Sequence, residues 1–132
     1  MSIQQAEEFY SPIRPNLIKK FGEKEGPKQF NELVKFMTGK DPDKTATEKE
    51  RQLPGTRQGQ SLALVYQGPF VVQRIRKKVG ATNPEEAAPG TIRREYGHDI
   101  MKNGVHASDS EESAKREIRI LDIQSNPLKD II

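Results

Sequence analysis

The 132-residue chain contains no cysteine and no tryptophan. The first absence excludes disulfides, a thiol nucleophile and any thiolate metal site. Histidine is nearly absent too: His98 and His106 are too few for a multi-histidine metal centre. Any metal is therefore expected as a hard cation carried in on substrate oxygens. Aromatic residues amount to 5 Phe and 3 Tyr, so a core must come mostly from Leu, Ile, Val and Met. No apolar run approaches the roughly 20 residues that span a bilayer. The first residues lack the basic and apolar regions of a secretory signal, so the cytoplasm is the expected location and no membrane is expected as a partner. A hydrophobic share of 33% is low for a chain of this size building a core alone, which points to one domain that relies on partners. With 22 basic against 19 acidic residues the net charge is +3, a mixed surface that favours anionic partners such as phosphate-bearing small molecules.

Along the chain, residues 2–10 read as a helix, with Ser2 and Gln5 spaced as a capping box and Pro12 closing the segment. Residues 11–28 are polar and interrupted by Pro12, Pro15, Gly22, Gly26 and Pro27, which predicts a mobile connection in which Leu17, Ile18 and Phe21 form one helical turn. Phe30, Leu33, Val34 and Met37 recur at helical spacing, so residues 29–38 form a second amphipathic helix ended by Gly39. Residues 40–60 are almost without apolar side chains and predict a long exposed loop, with one helical turn at 47–51. Residues 61–67 alternate as a buried strand, and residues 70–79 as a helix with Arg74, Lys77 and Lys78 on a basic face. Residues 80–90 form a loop by composition, and 91–100 hold a short helix or strand. A last helix covers 110–121, with Ser108 and Glu111 as its capping box.

His106 stands just before that last helix, where unpaired backbone N–H groups attract phosphate. A neutral imidazole is a competent nitrogen nucleophile if an acceptor on its other nitrogen fixes the tautomer, and Glu117, two turns into the helix, is a suitable acceptor. Arg76 and Arg93 offer forked donors and Thr82 a hydroxyl, a set that suits a phosphate chain. Taken singly these residues say little: a lone histidine before a helix is more often packing, and surface arginines are usually solvated.

Their order and spacing carry more. The loop Gly80-Ala81-Thr82-Asn83-Pro84 is followed by Pro89-Gly90-Thr91-Ile92-Arg93, then by Asn103-Gly104-Val105-His106-Ala107-Ser108-Asp109-Ser110 and by Glu117-Ile118. This succession resembles the nucleoside diphosphate kinase family, and the resemblance extends over roughly residues 6–121. It implies an α+β, ferredoxin-like fold with an antiparallel sheet and covering helices. It implies His106 as the phosphohistidine nucleophile, Glu117 as its orienting carboxylate and Ser108 as a supporting hydroxyl. Arg76, Thr82 and Arg93 would bind phosphate oxygens and Asn103 the sugar hydroxyl. Tyr10 would lie near the phosphohistidine, with Phe30 and Leu33 in the helical hairpin that takes the nucleotide. The implied reaction is ping-pong transfer between nucleoside tri- and diphosphates, with magnesium arriving on the nucleotide and the protein itself supplying no metal site. A homo-oligomer, hexamer or tetramer, is also implied.

Three departures from the family pattern shape the expectations. The family begins with a strand bearing a Lys-Pro-Asp-Gly-Val motif, then a helix and a second strand, and nothing before Ser2 supplies them. The chain is thus expected to be a single, N-terminally incomplete domain over residues 1–132: a truncated product, a mis-started frame or half of a split protein. Gln29 stands where the family stacks a phenylalanine on the base, leaving Phe30 beside it as the substitute. The segments at about 11–28 and 40–60 are longer than the family's connections. A non-catalytic nucleotide-binding or assembly subunit is the alternative function. A nucleic-acid module, suggested by the pI of about 9.2, is disfavoured because no aromatic stacking platform accompanies the basic face.

Overall fold

In the computed structural model, which describes residues 1–45 and 47–123, the chain forms two compact units, Met1–Ala63 with Ile120–Ile123 and Leu64–Arg119. Among the described residues there are six α-helices and no strand. None of these helices is long and apolar enough to cross a membrane.

The first unit is built on α1 (Ile3–Tyr10) and α2 (Arg14–Thr38). The expected capping box starts α1: Ser2 Oγ accepts from the Gln5 amide at 3.1 Å, and Gln5 Oε1 accepts from the Ser2 amide at 3.0 Å. The expected mobile connection at 11–28 is instead helical, a 3-10 turn at Ser11–Ile13 running into α2. Pro12 and Pro15 lie in first turns, where a missing N–H removes no hydrogen bond, so they open helices rather than break them, while Pro27 is carried inside α2. The break in α2 falls at Gly22, whose φ of +85° is a conformation glycine adopts at little cost. Ile3, Ala6, Phe9 and Tyr10 of α1 form the core with Phe30, Leu33 and Val34 of α2. Phe30 is only 2% exposed and carries the Arg14 guanidinium 5.3 Å from its ring centre. Phe30→Ala should therefore lower the unfolding free energy by about 3–5 kcal/mol, read from a denaturant midpoint. A loss below about 1 kcal/mol would show that this hairpin is not the centre of the unit's stability.

As expected, α2 ends at Gly39, in the left-handed region with φ +70°. The segment 40–60 that follows is fastened to the hairpin. The Thr56 amide donates to the Thr38 carbonyl at 2.8 Å and the Gly55 amide to the Met1 carbonyl at 3.0 Å. Arg51, in the short helix α3 (Glu48–Gln52), pairs with Glu7 and donates to the Pro42 carbonyl at 3.1 Å. A Cβ at Gly59 would lie 2.3 Å from the Thr38 carbonyl carbon, so glycine is needed for this closeness. The expected single helical turn is present as α3, capped by Thr47 and Glu50.

The second unit contains α4 (Val71–Val79), α5 (Ile92–Tyr96) and α6 (Glu111–Ile120), the last helix ending one residue beyond it. The buried strand and antiparallel sheet expected around residues 61–67 are not found among the described residues. Leu62 is 84% exposed, and Leu64, Val65 and Tyr66 are also open to solvent. A strand satisfies its N–H and C=O groups only across a ladder, and no second strand is present among the described residues to form one. The 91–100 segment resolves as the helix α5. The cap of α6 also differs from expectation: Ser110, rather than Ser108, accepts from the Ser113 amide at 3.0 Å. Ser108 instead donates to Glu117.

Candidate active site

α4 ends at Gly80, whose φ is +91°. A Cβ there would lie 2.5 Å from Thr91 Oγ1, so a glycine lets the end of α4 rest on the start of α5. Thr91 precedes α5, and two residues on, Arg93 is drawn inward to 8% exposure. Its Nη1 donates to the Gly80 carbonyl at 3.1 Å, while Nε and Nη2 both donate to the Val105 carbonyl at 3.3 and 3.0 Å. Burial, and then the neighbouring charge of Arg76, hold the Arg93 pKa below its ordinary value. No described carboxylate forms an ion pair with it. Arg76, exposed on α4, donates to the Ala107 carbonyl at 3.4 Å. The carbonyls on either side of His106 are therefore each held by an arginine.

His106 itself lies 3.1 Å, Nε2 to Oε2, from Glu117. Ser108 Oγ donates to the same carboxylate oxygen, which is why it is not the cap of α6. The other oxygen, Oε1, lies 3.8 Å from Arg116 Nη2. Glu117 is 8% exposed. Burial on its own would raise its pKa, but hydrogen bonds from His106 and Ser108, with the charges of His106 and Arg116, outweigh it and hold the carboxyl below its usual range. An ionised carboxylate only accepts, so His106 Nε2 carries a proton, and in the neutral ring the lone pair then lies on Nδ1. The His106 side chain is 40% exposed, which leaves the ring accessible to a ligand.

The remaining expected residues are distributed as follows. Asn103 Nδ2 donates to the Thr82 carbonyl at 3.1 Å, joining the loop after α4 to the segment before His106. Thr82 is exposed at the tip of that loop. Arg76, Thr82, Arg93, Asn103, His106, Ser108 and Glu117 thus all belong to the second unit. Tyr10, Phe30 and Leu33 belong to the first unit and are buried in its hairpin core. Phe30 offers a covered ring rather than an open face for a base. Sequence reasoning missed Arg116, whose only signal was its position next to Glu117, and missed the carbonyls that hold the arginines. Among the described residues no cluster of His, Asp or Glu could hold a metal ion.

A family model described as nucleoside diphosphate kinase matches residues 1–124. The chain belongs to the nucleoside diphosphate kinase family. Among its relatives, a nucleoside diphosphate kinase of Methanosphaera stadtmanae is 42% identical over 100 residues, 76% of this chain and 53% of that protein. One from Methanoregula boonei is 58% identical over 64 residues, covering 48% of this chain and 43% of that protein. One from Staphylococcus epidermidis is 36% identical over 102 residues, 77% of this chain and 56% of that protein. The chain spans about half the length of the curated relatives it matches. The nucleoside diphosphate kinase family implies a ferredoxin-like α+β fold, of which the described residues here supply helices only.

Proposed function

We propose that this chain carries the phosphoryl-transfer centre of a nucleoside diphosphate kinase, with His106 as the acceptor. The observation that carries the reading is the shared carboxylate oxygen. Glu117 Oε2 receives both His106 Nε2 and Ser108 Oγ, which fixes the ring with Nδ1 as its nucleophilic nitrogen. In the first half-reaction Nδ1 attacks the γ-phosphorus of a nucleoside triphosphate. The N–P bond forms as the bond to the β-phosphate oxygen breaks, and the diphosphate leaves with that electron pair. The positive charge growing on the imidazole is met by Glu117. In the second half-reaction a terminal oxygen of another diphosphate attacks the same phosphorus, and the N–P electrons return to Nδ1.

Arg76, Arg93 and Thr82 bind the phosphate oxygens, and Asn103 takes the sugar hydroxyl. Tyr10, Phe30 and Leu33 form the core of the helical hairpin that the family pattern assigns to the nucleotide. Catalysis of this kind is mostly positioning and charge stabilisation, and magnesium bound to the phosphates supplies further neutralisation. The reading includes a cytoplasmic homo-oligomer.

The test is incubation of the purified chain with magnesium and γ-labelled ATP. Acid-labile, base-stable label on the protein that then moves to an added nucleoside diphosphate is the expected result. A folded chain that binds nucleotide but takes no label would replace this reading with that of a non-catalytic nucleotide-binding subunit.

A further inference from the structure

Arg93 is engaged with the protein in a way that phosphate binding alone does not require. It is buried, it has no described ion pair, and three of its N–H groups are spent on two backbone carbonyls. One carbonyl, of Val105, immediately precedes His106. The other, of Gly80, sits where α4 ends with its positive φ. Arg76 contrasts with it: exposed, and holding the Ala107 carbonyl through a single long bond of 3.4 Å. A planar guanidinium can span two carbonyls at fixed angles, which a lysine ammonium cannot do as a point charge on a flexible stem.

We infer that Arg93 is a positioning residue for His106, fixing the Val105 carbonyl to the end of α4 so that the imidazole is presented to Glu117 before any nucleotide binds. Arg76 then serves as the exchangeable member of the pair, able to leave the Ala107 carbonyl for a phosphate oxygen. Arg93 still keeps a donor on each terminal nitrogen for phosphate without releasing the brace. This deepens the proposed function and rests on His106 being the phosphate acceptor. The brace itself can nevertheless be measured without any transfer.

The chain has only His98 and His106, so the imidazole ¹⁵N spectrum of the nucleotide-free protein can be assigned with a His98→Gln control. In the unsubstituted protein His106 should show one fixed tautomer, protonated at Nε2. Arg93→Lys should give tautomer-averaged shifts at unchanged helical content, with phosphorylation of His106 slowed about 10–100-fold, as when a supporting partner of a reactive group is lost. Arg76→Lys should keep the fixed tautomer and act chiefly on the nucleotide KM. A wild-type tautomer signature in folded Arg93→Lys would overturn the inference.

If Arg93→Lys does not fold, the Nη resonances of Arg93 in the unsubstituted, nucleotide-free protein decide. Resolved signals from hindered rotation support the brace, and averaged signals overturn it. Should the tautomer respond as expected while no phosphate ever reaches His106, the proposed kinase reading fails and the brace stands.

Discussion

His106→Ala is expected to lower nucleotide-dependent phosphoryl transfer by at least about a thousandfold, because the substitution removes the nitrogen that forms the N–P bond in the proposed reaction. The fold should survive it. The side chain is 40% exposed, and Ser108 continues to donate to Glu117 Oε2, so no buried charge is left without a partner. A stability loss of about 1–3 kcal/mol, from the hydrogen bond between His106 and the ionised Glu117, is the expectation. Nucleotide binding should persist too, since Arg76, Arg93, Thr82 and Asn103 are untouched. Measured together, thermal midpoint, nucleotide affinity and label transfer separate a chemical role from a structural one. Transfer at even a tenth of the unsubstituted rate would sink the assignment of His106 and send the search to other nucleophiles. A large fall in thermal midpoint would instead make it a packing residue.

How far the sequence alone reveals this arrangement depends on whether each feature is local. The contact of His106 with Glu117 was legible because the helix that follows His106 carries a side chain about two turns along back toward its own start. The Ser2 capping box and the Gly39 helix end were legible for the same reason. The helix across residues 11–28 was not, since prolines that open helices look identical in composition to prolines that break them. The capping box expected at Ser108 and Glu111 lay two positions too early. Glu117, a tertiary partner, engages Ser108 and leaves the cap to Ser110. The alternating run at 61–67 has the pattern of a strand, but the pattern does not contain the neighbour that a strand needs. The carbonyls held by Arg93 are twelve and thirteen positions away in the chain, beyond the reach of any periodicity.

Glu117→Gln should reveal what the shared oxygen contributes. The glutamine is nearly isosteric and its amide oxygen can still accept one hydrogen bond, so the loss is mainly of charge. Two donors, His106 Nε2–H and Ser108 O–H, then compete for a neutral acceptor, and the amide's own N–H groups face Arg116. The imidazole loses its single orientation, and the positive charge that grows during phosphorylation is no longer met by a carboxylate. A fall in the phosphorylation rate of about 10–100-fold with little change in nucleotide affinity follows. Unchanged single-turnover rates would remove Glu117 from the mechanism.

The pH dependence of stability gives an independent reading. Because the folded Glu117 pKa lies below its ordinary value, the stabilisation linked to its ionised form is fully present above the unfolded glutamate pKa. It is lost as pH falls through the lower, folded value. Thermal midpoints of the unsubstituted protein should therefore drop across that acid window more steeply than those of Glu117→Gln, which lacks this one titrating carboxyl. Parallel curves for the two proteins would mean that the hydrogen bonds from His106 and Ser108 do not favour the carboxylate enough to keep it ionised beside the histidine.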